Sequence, residues 1–302
     1  MTHSNESEKH EADALLSFEK QDKPKALPSE PEYTGGAVAP KLKPFGAQMR
    51  LIYGDMAGVF FFCWVPVFVA FFFPWDLLFG TGKVISDMTY SQLAMASLIA
   101  IFPWVVLILH LWRGRLLDGI LDMLLWTVWE CMIMLTLCYL YPDRAQDVLY
   151  HASDYWAEMK GWLVTGNGPE ADPSIWLLNH LKHLLLLIAT GFFGGLIALI
   201  FGVLQLNYMN FYVSEVLAAS YDPLLTLAVA WHFYSILRVI GFIILASTFF
   251  QMFMALVMRR PSRYSSLTWG MIIGLSLVIA DGVCKWLFAS NVQMTLKSLT
   301  NL

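Results

Sequence analysis

The chain has 302 residues, 58% hydrophobic and 14% charged, with a mean hydropathy of +0.58. Soluble domains run near about 45–50% apolar and about 25% charged, so both figures exclude an ordinary soluble domain and indicate an all-α, polytopic transmembrane bundle of about six helices. A net charge of -4 with a pI near 6.0 lacks the basic footprint of a nucleic-acid partner.

Residues 1–45 are rich in Glu, Lys, Ser and Pro and are expected to form a disordered tail, because they bury too little apolar surface to offset ordering entropy. The polar, acidic start lacks the charged n-region and apolar h-region of a cleavable signal, so the first apolar run is expected to serve as the insertion signal. The stretch Glu11 to Leu16 matches an acidic dileucine sorting signal, a short match read as chance.

Six apolar runs follow, at 58–79, 92–112, 116–141, 183–206, 224–258 and 266–288. Most fit the roughly 20 residues needed to span hydrocarbon. "LWRGR" joins the second and third as a tight antiparallel hairpin. The fifth run is too long, at about 52 Å as one helix against about 30 Å of hydrocarbon. It is expected either to tilt and protrude or to break near Gly241.

Basic residues around the membrane give conflicting signals. Lys41, Lys43, Arg50, Arg113 and Arg115 favour a cytoplasmic N-terminus. Six simple crossings then put Arg259, Arg260 and Arg263 on the opposite side, and an extra crossing within the fifth run brings them back, at the cost of short arms.

Residues 142–182 are the one sizeable aqueous segment. Val148, Leu149, Ala152, Tyr155, Trp156, Met159, Trp162 and Leu163 recur on one helical stripe, which predicts an amphipathic helix lying at the interface, covering the bundle or docking a partner. Cys63, Cys131, Cys138 and Cys284 all fall in apolar runs and imply no disulfide framework.

Small residues at helical spacing in the fourth run (Gly191, Gly195, Ala198, Gly202) and the sixth (Gly270, Gly274) predict close helix packing. Asp281 shares the face of Gly270 and Gly274, and so points toward other helices. Lys285 follows at the spacing of an intrahelical ion pair, near enough to the helix end to snorkel.

The candidate site is a set of intramembrane polar residues: Glu130, His232, Ser235, Arg238, Asp281 and Lys285. A guanidinium stays charged in hydrocarbon and costs several kcal/mol there unless it meets a carboxylate or water. Depth favours Asp281 as the partner of Arg238, with Glu130 displaced to the other side of the membrane. Such charges either pin helices together or line an ion, proton or substrate route.

His151, His180 and His183 are weak metal candidates, since no Cys, Asp or Glu completes a diagnostic set. No catalytic, nucleotide-binding or cofactor-binding signature is present, so no cofactor is implied. The leading expectation is a non-enzymatic subunit of a larger membrane assembly, of a trafficking, secretion or envelope type, with the bilayer and other membrane subunits as partners. A small transporter or channel using Glu130, Arg238 and Asp281 is the rival, and a membrane enzyme with an unfamiliar site a third. Short loops and intramembrane cysteines point to a bacterial cytoplasmic (inner) membrane.

Overall fold

A computed structural model of the chain describes residues 58, 60, 62–79, 82–85, 88–260 and 262–302. The expected disordered tail, the dileucine match and Lys41, Lys43 and Arg50 lie outside the described residues. The fold is all-α, with six helices among the described residues long and apolar enough to cross a membrane.

A short apolar helix, α1 (Phe62–Phe72), precedes α2 (Asp76–Phe79) and a small antiparallel hairpin of β1 (Lys83–Ile85) and β2 (Met88–Thr89). Helix α3 (Tyr90–Trp112) opens on a capping box. The Thr89 hydroxyl accepts from the Gln92 amide at 3.2 Å, and the Gln92 side chain accepts from the Thr89 amide at 3.0 Å. Gly114, at φ 70°, turns the chain into α4 (Leu116–Leu140). Gly119 lets the two helices close, and His110 Nε2 meets Asp122 Oδ2 at 2.7 Å across the hairpin.

The expected aqueous segment 142–182 forms α5 (Pro142–Val148) and α6 (Ala152–Thr165), but its last ten residues, 173–182, begin the next membrane-length helix. The apolar stripe of α6 covers the bundle: Ala152, Met159, Trp162 and Leu163 are all buried. Gly166 ends α6 in a left-handed cap.

Helix α7 (Pro173–Phe192) begins where Asp172 caps the Ser174 amide at 2.9 Å and Pro173 fixes the first turn. Gly194 (φ 112°) and Gly195 (φ 76°) then reverse the chain into α8 (Leu196–Ala218). The run 183–206, expected to be one spanning helix, is therefore the end of one helix and the start of another. The adjacent glycines make a turn that residues with a Cβ resist, and Trp104 Nε1 fixes it by donating to the Gly194 carbonyl at 2.7 Å.

The run 224–258 is also divided. Helix α9 (Pro223–Ala230), capped by Asp222, stops at Trp231, and α10 (Phe233–Leu256) starts after His232. The break expected near Gly241 is absent, because Gly241 sits inside α10 against the next helix, where a Cβ would lie 2.9 Å from the Gly274 carbonyl. That next helix is α11 (Tyr264–Leu299), 36 residues long, or about 54 Å at about 1.5 Å per residue. Its excess length is used at the α6 end: Gln293 Nε2 donates to the Leu163 carbonyl at 2.6 Å, and Lys297 Nζ to that of Val164 at 2.5 Å.

The reversal at Gly194–Gly195 brings the loop arginines of the described residues together. It adds the crossing that was missing, so the turn at Arg113–Arg115 and the segment 257–263 share one end of the bundle. There the Arg260 guanidinium lies 3.3 Å from the centre of the Trp112 ring. Helices α5, α6 and α9 occupy the opposite end.

Candidate functional site

The site grows from the α10–α11 contact. Helices come close where side chains are missing: a Cβ on Gly270 would fall 2.3 Å from Thr248 Oγ1, and one on Gly274 2.7 Å from Leu245. Running antiparallel, the pair brings Arg238 of α10 beside Asp281 of α11, with Nε 4.0 Å from Oδ2.

His180 of α7 completes this group. Arg238 Nη1 contacts His180 Nε2, and His180 Nδ1 lies 3.7 Å from Asp281 Oδ2. An imidazole protonated on Nδ1 alone accepts from the guanidinium and points its N–H toward the carboxylate. Arg238 Nη2 also donates to Ser235 Oγ at 3.1 Å.

Lys285 neither snorkels nor takes Asp281 as its ion-pair partner. It is 1% exposed, and its ammonium meets Glu170 Oε2 at 2.5 Å. It also lies 5.2 Å from the centre of the Trp176 ring. Burial alone would raise the Glu170 carboxyl, but the Lys285 ammonium more than offsets this and holds it below the usual carboxylate range. His232 turns away from the group, its Nε2 3.2 Å from the Tyr212 hydroxyl, and burial pushes it down to about 4.

Beside these charges lies a cavity of about 430 Å³ between α7, α8 and α10, with α6 and residues 169–170 at its mouth. Its mouth carries Tyr150, Tyr155, Glu158 and Glu170; its middle His180, His183, Gln205 and Arg238; its floor Leu187, Ala198, Phe242 and Ala246. Gln205 Nε2 and His183 Nδ1 are 2.9 Å apart. Burial, followed by the nearby Glu170 charge, raises the Glu158 carboxyl.

The small residues divide into different roles. Gly191 abuts the Ala246 backbone, and Gly195 is both a turn residue and a seat for the Phe250 ring. Gly202, expected at a helix contact, has nothing within 4 Å of where its Cβ would be and lines the cavity. Its missing side chain is open volume.

Glu130 stands apart from this group. It is fully buried in α4, and among the described residues its carboxyl oxygens find no nitrogen or oxygen partner, with the Cys131 thiol as their contact. Asn207 and Asn210 of α8 are likewise buried, and the Asn210 amide faces Cys131. Trp126 and Thr127, one turn earlier on α4, reach the cavity wall.

His151 sits at the mouth, its Nδ1 3.4 Å from Asp154 Oδ2. Among the described residues no group of three or more His, Cys, Asp or Glu side chains is placed to hold a metal. Sequence reasoning missed Glu158, Glu170 and Gln205. Glu170 lies in a Gly/Pro-broken loop with no periodicity to place it, and only the buried ammonium on α11 called for a carboxylate.

Comparison with protein-family models, curated proteins and solved structures finds no match to this chain. The chain is an integral, multi-pass membrane protein by its six long apolar helices. Its function is read from the site alone.

Proposed function

We propose that the protein is a non-enzymatic carrier that admits a small ligand from the α6 end of the bundle into the bilayer interior. One observation carries this reading: Arg238, an intramembrane cation, lines an open cavity of about 430 Å³ instead of sitting in dry packing. That volume falls within the about 300–1,000 Å³ common for ligand sites. Ionisable residues facing such a space mark substrate or ion routes.

Two motives for reading the chain as a subunit of a larger assembly are absorbed within it. The glycines of α7 and α11 pack against α10, and the apolar stripe of α6 is buried on its own bundle. A bacterial cytoplasmic membrane suits the short turns and the free intramembrane cysteines.

Cysteine accessibility tests the reading. Gly202→Cys places a thiol in the cavity without a clash. It should react with a membrane-impermeant methanethiosulfonate reagent added on the α6 side, while the native buried thiols stay inert. A carrier also exposes this thiol to reagent from the arginine side. A Gly202→Cys thiol inert from both sides means a dry interior and ends the proposal.

A further inference from the structure

The cavity changes chemistry with depth. Arg238 and Ala246 are eight residues apart on α10, about 12 Å along the axis. Over that distance the wall passes from guanidinium to Leu187, Ala198, Phe242 and Ala246, all apolar, with the Gly202 gap beside them. Toward the mouth it passes instead to the rings of Tyr150, Tyr155, Trp176 and Tyr208, with the carboxylates of Glu158 and Glu170. From the interior outward the order is apolar, cationic, then aromatic and anionic.

The middle and the mouth each have capacity to spare. Arg238's carboxylate contact is loose at 4.0 Å, and its other partners, Ser235 and His180, are a hydroxyl and an imidazole. At the mouth, Lys285 shows how an ammonium is held there: a carboxylate at 2.5 Å and an indole face at 5.2 Å. Lys285 neutralises Glu170, whereas Glu158 has no ion pair among the described residues. Tyr155 and Tyr208, with ring centres 4.6 Å apart, stand with it.

We propose that the cavity binds a single-chain zwitterionic amphiphile, its chain on the apolar floor, its phosphate at Arg238 and its terminal ammonium among Glu158 and the mouth aromatics. This rests on the carrier reading and names its ligand class. The order chain, anion, cation is that of a lysophospholipid standing in the leaflet next to α6, so the ligand reaches the site without inverting. A cavity of this volume leaves no room for a second acyl chain.

The test uses the full chain in a nonionic maltoside detergent and native mass spectrometry. Myristoyl lysophosphatidylcholine should be retained about tenfold more tightly than myristoyl lysophosphatidic acid, which lacks the ammonium, the scale of a desolvated cation–π and ion-pair contact. Phosphocholine without a chain should not be retained. Gly202→Leu should lower lysophosphatidylcholine retention at least about tenfold by filling the chain site, with thermal stability unchanged because the space is open. Glu158→Gln should erase most of the preference between the two lysolipids.

Equal retention of the two lysolipids, retention of free phosphocholine, or indifference to Gly202→Leu overturns the proposal. If Gly202→Cys is reactive but lysolipid is not retained, this ligand assignment fails and the carrier reading stands. If Gly202→Cys is inert in protein freed of bound lipid, both fail.

Discussion

Lys285, on the long helix α11, and Glu170, in the loop before α7, meet at 2.5 Å with the ammonium 1% exposed. Neither charge is tolerable alone in that setting. Glu170→Gln should therefore destabilise the fold by about 3–5 kcal/mol, since it strands a buried ammonium. Pairing it with Lys285→Met should recover most of the loss, because the desolvation cost disappears with both charges. Thermal unfolding of the purified single and double variants reads this directly; a double variant no better than Glu170→Gln refutes the pairing.

The same pair gives acid sensitivity of known sign. Glu170 has a folded value below its unfolded value of about 4.3. Its contribution is fully present above that value and is lost as pH falls through the depressed folded one. Stability should thus drop below about pH 4, and Glu170→Gln should flatten that part of the profile.

His232 acts in a neighbouring window. Burial holds it at about 4 in the fold, against about 6.5 unfolded. The unfolded chain therefore takes up a proton first as pH falls, and stability declines between those values, by about 3 kcal/mol in all. His232→Gln should remove most of that slope while leaving the limb below it to Glu170. An unchanged slope shows that the imidazole does not titrate with folding.

Much of this was legible in residue order. The apolar runs 92–112, 116–141 and 266–288 located three of the spanning helices, whereas 58–79 holds only the short helix α1, and depth along the runs put Asp281 near Arg238. What escaped was punctuation inside the apolar stretches. Gly194 and Gly195 read equally as helix packing or as a turn, and nothing local to Trp231 and His232 distinguishes a break from a continuous helix. The cavity was illegible for a different reason. Gly202 repeats the spacing of the packing glycines, and only the positions of its neighbours make it a space rather than a contact.

The α10–α11 contact offers a steric test. Thr248 Oγ1 occupies the place a Cβ on Gly270 would take, 2.3 Å away. Gly270→Ala should cost about 1–3 kcal/mol by overpacking. Thr248→Ala removes the offending hydroxyl and methyl, and in combination it should restore most of the stability. Because this contact also holds Arg238 near Asp281, Gly270→Ala alone should reduce lysolipid retention, and the double variant should regain it. Loss of stability that Thr248→Ala leaves uncorrected argues against helices this close.

Topology can be checked residue by residue. The reversal at Gly194–Gly195 puts Phe193 at the end that carries Arg115 and Arg259, whereas Asn167 and Tyr221 lie at the α6 end. All five are at least partly exposed in the turns. Single cysteines there should divide into two groups under an impermeant maleimide applied to sealed, oriented vesicles. Arg115→Cys, Phe193→Cys and Arg259→Cys should label together, and Asn167→Cys and Tyr221→Cys from the other face. Loss of any one loop arginine leaves four others at that end among Arg113, Arg115, Arg259, Arg260 and Arg263. Were Phe193→Cys to label from neither face, position 193 would lie in mid-bilayer, the run 183–206 would cross the membrane once, and the cavity between α7 and α8 would have no walls.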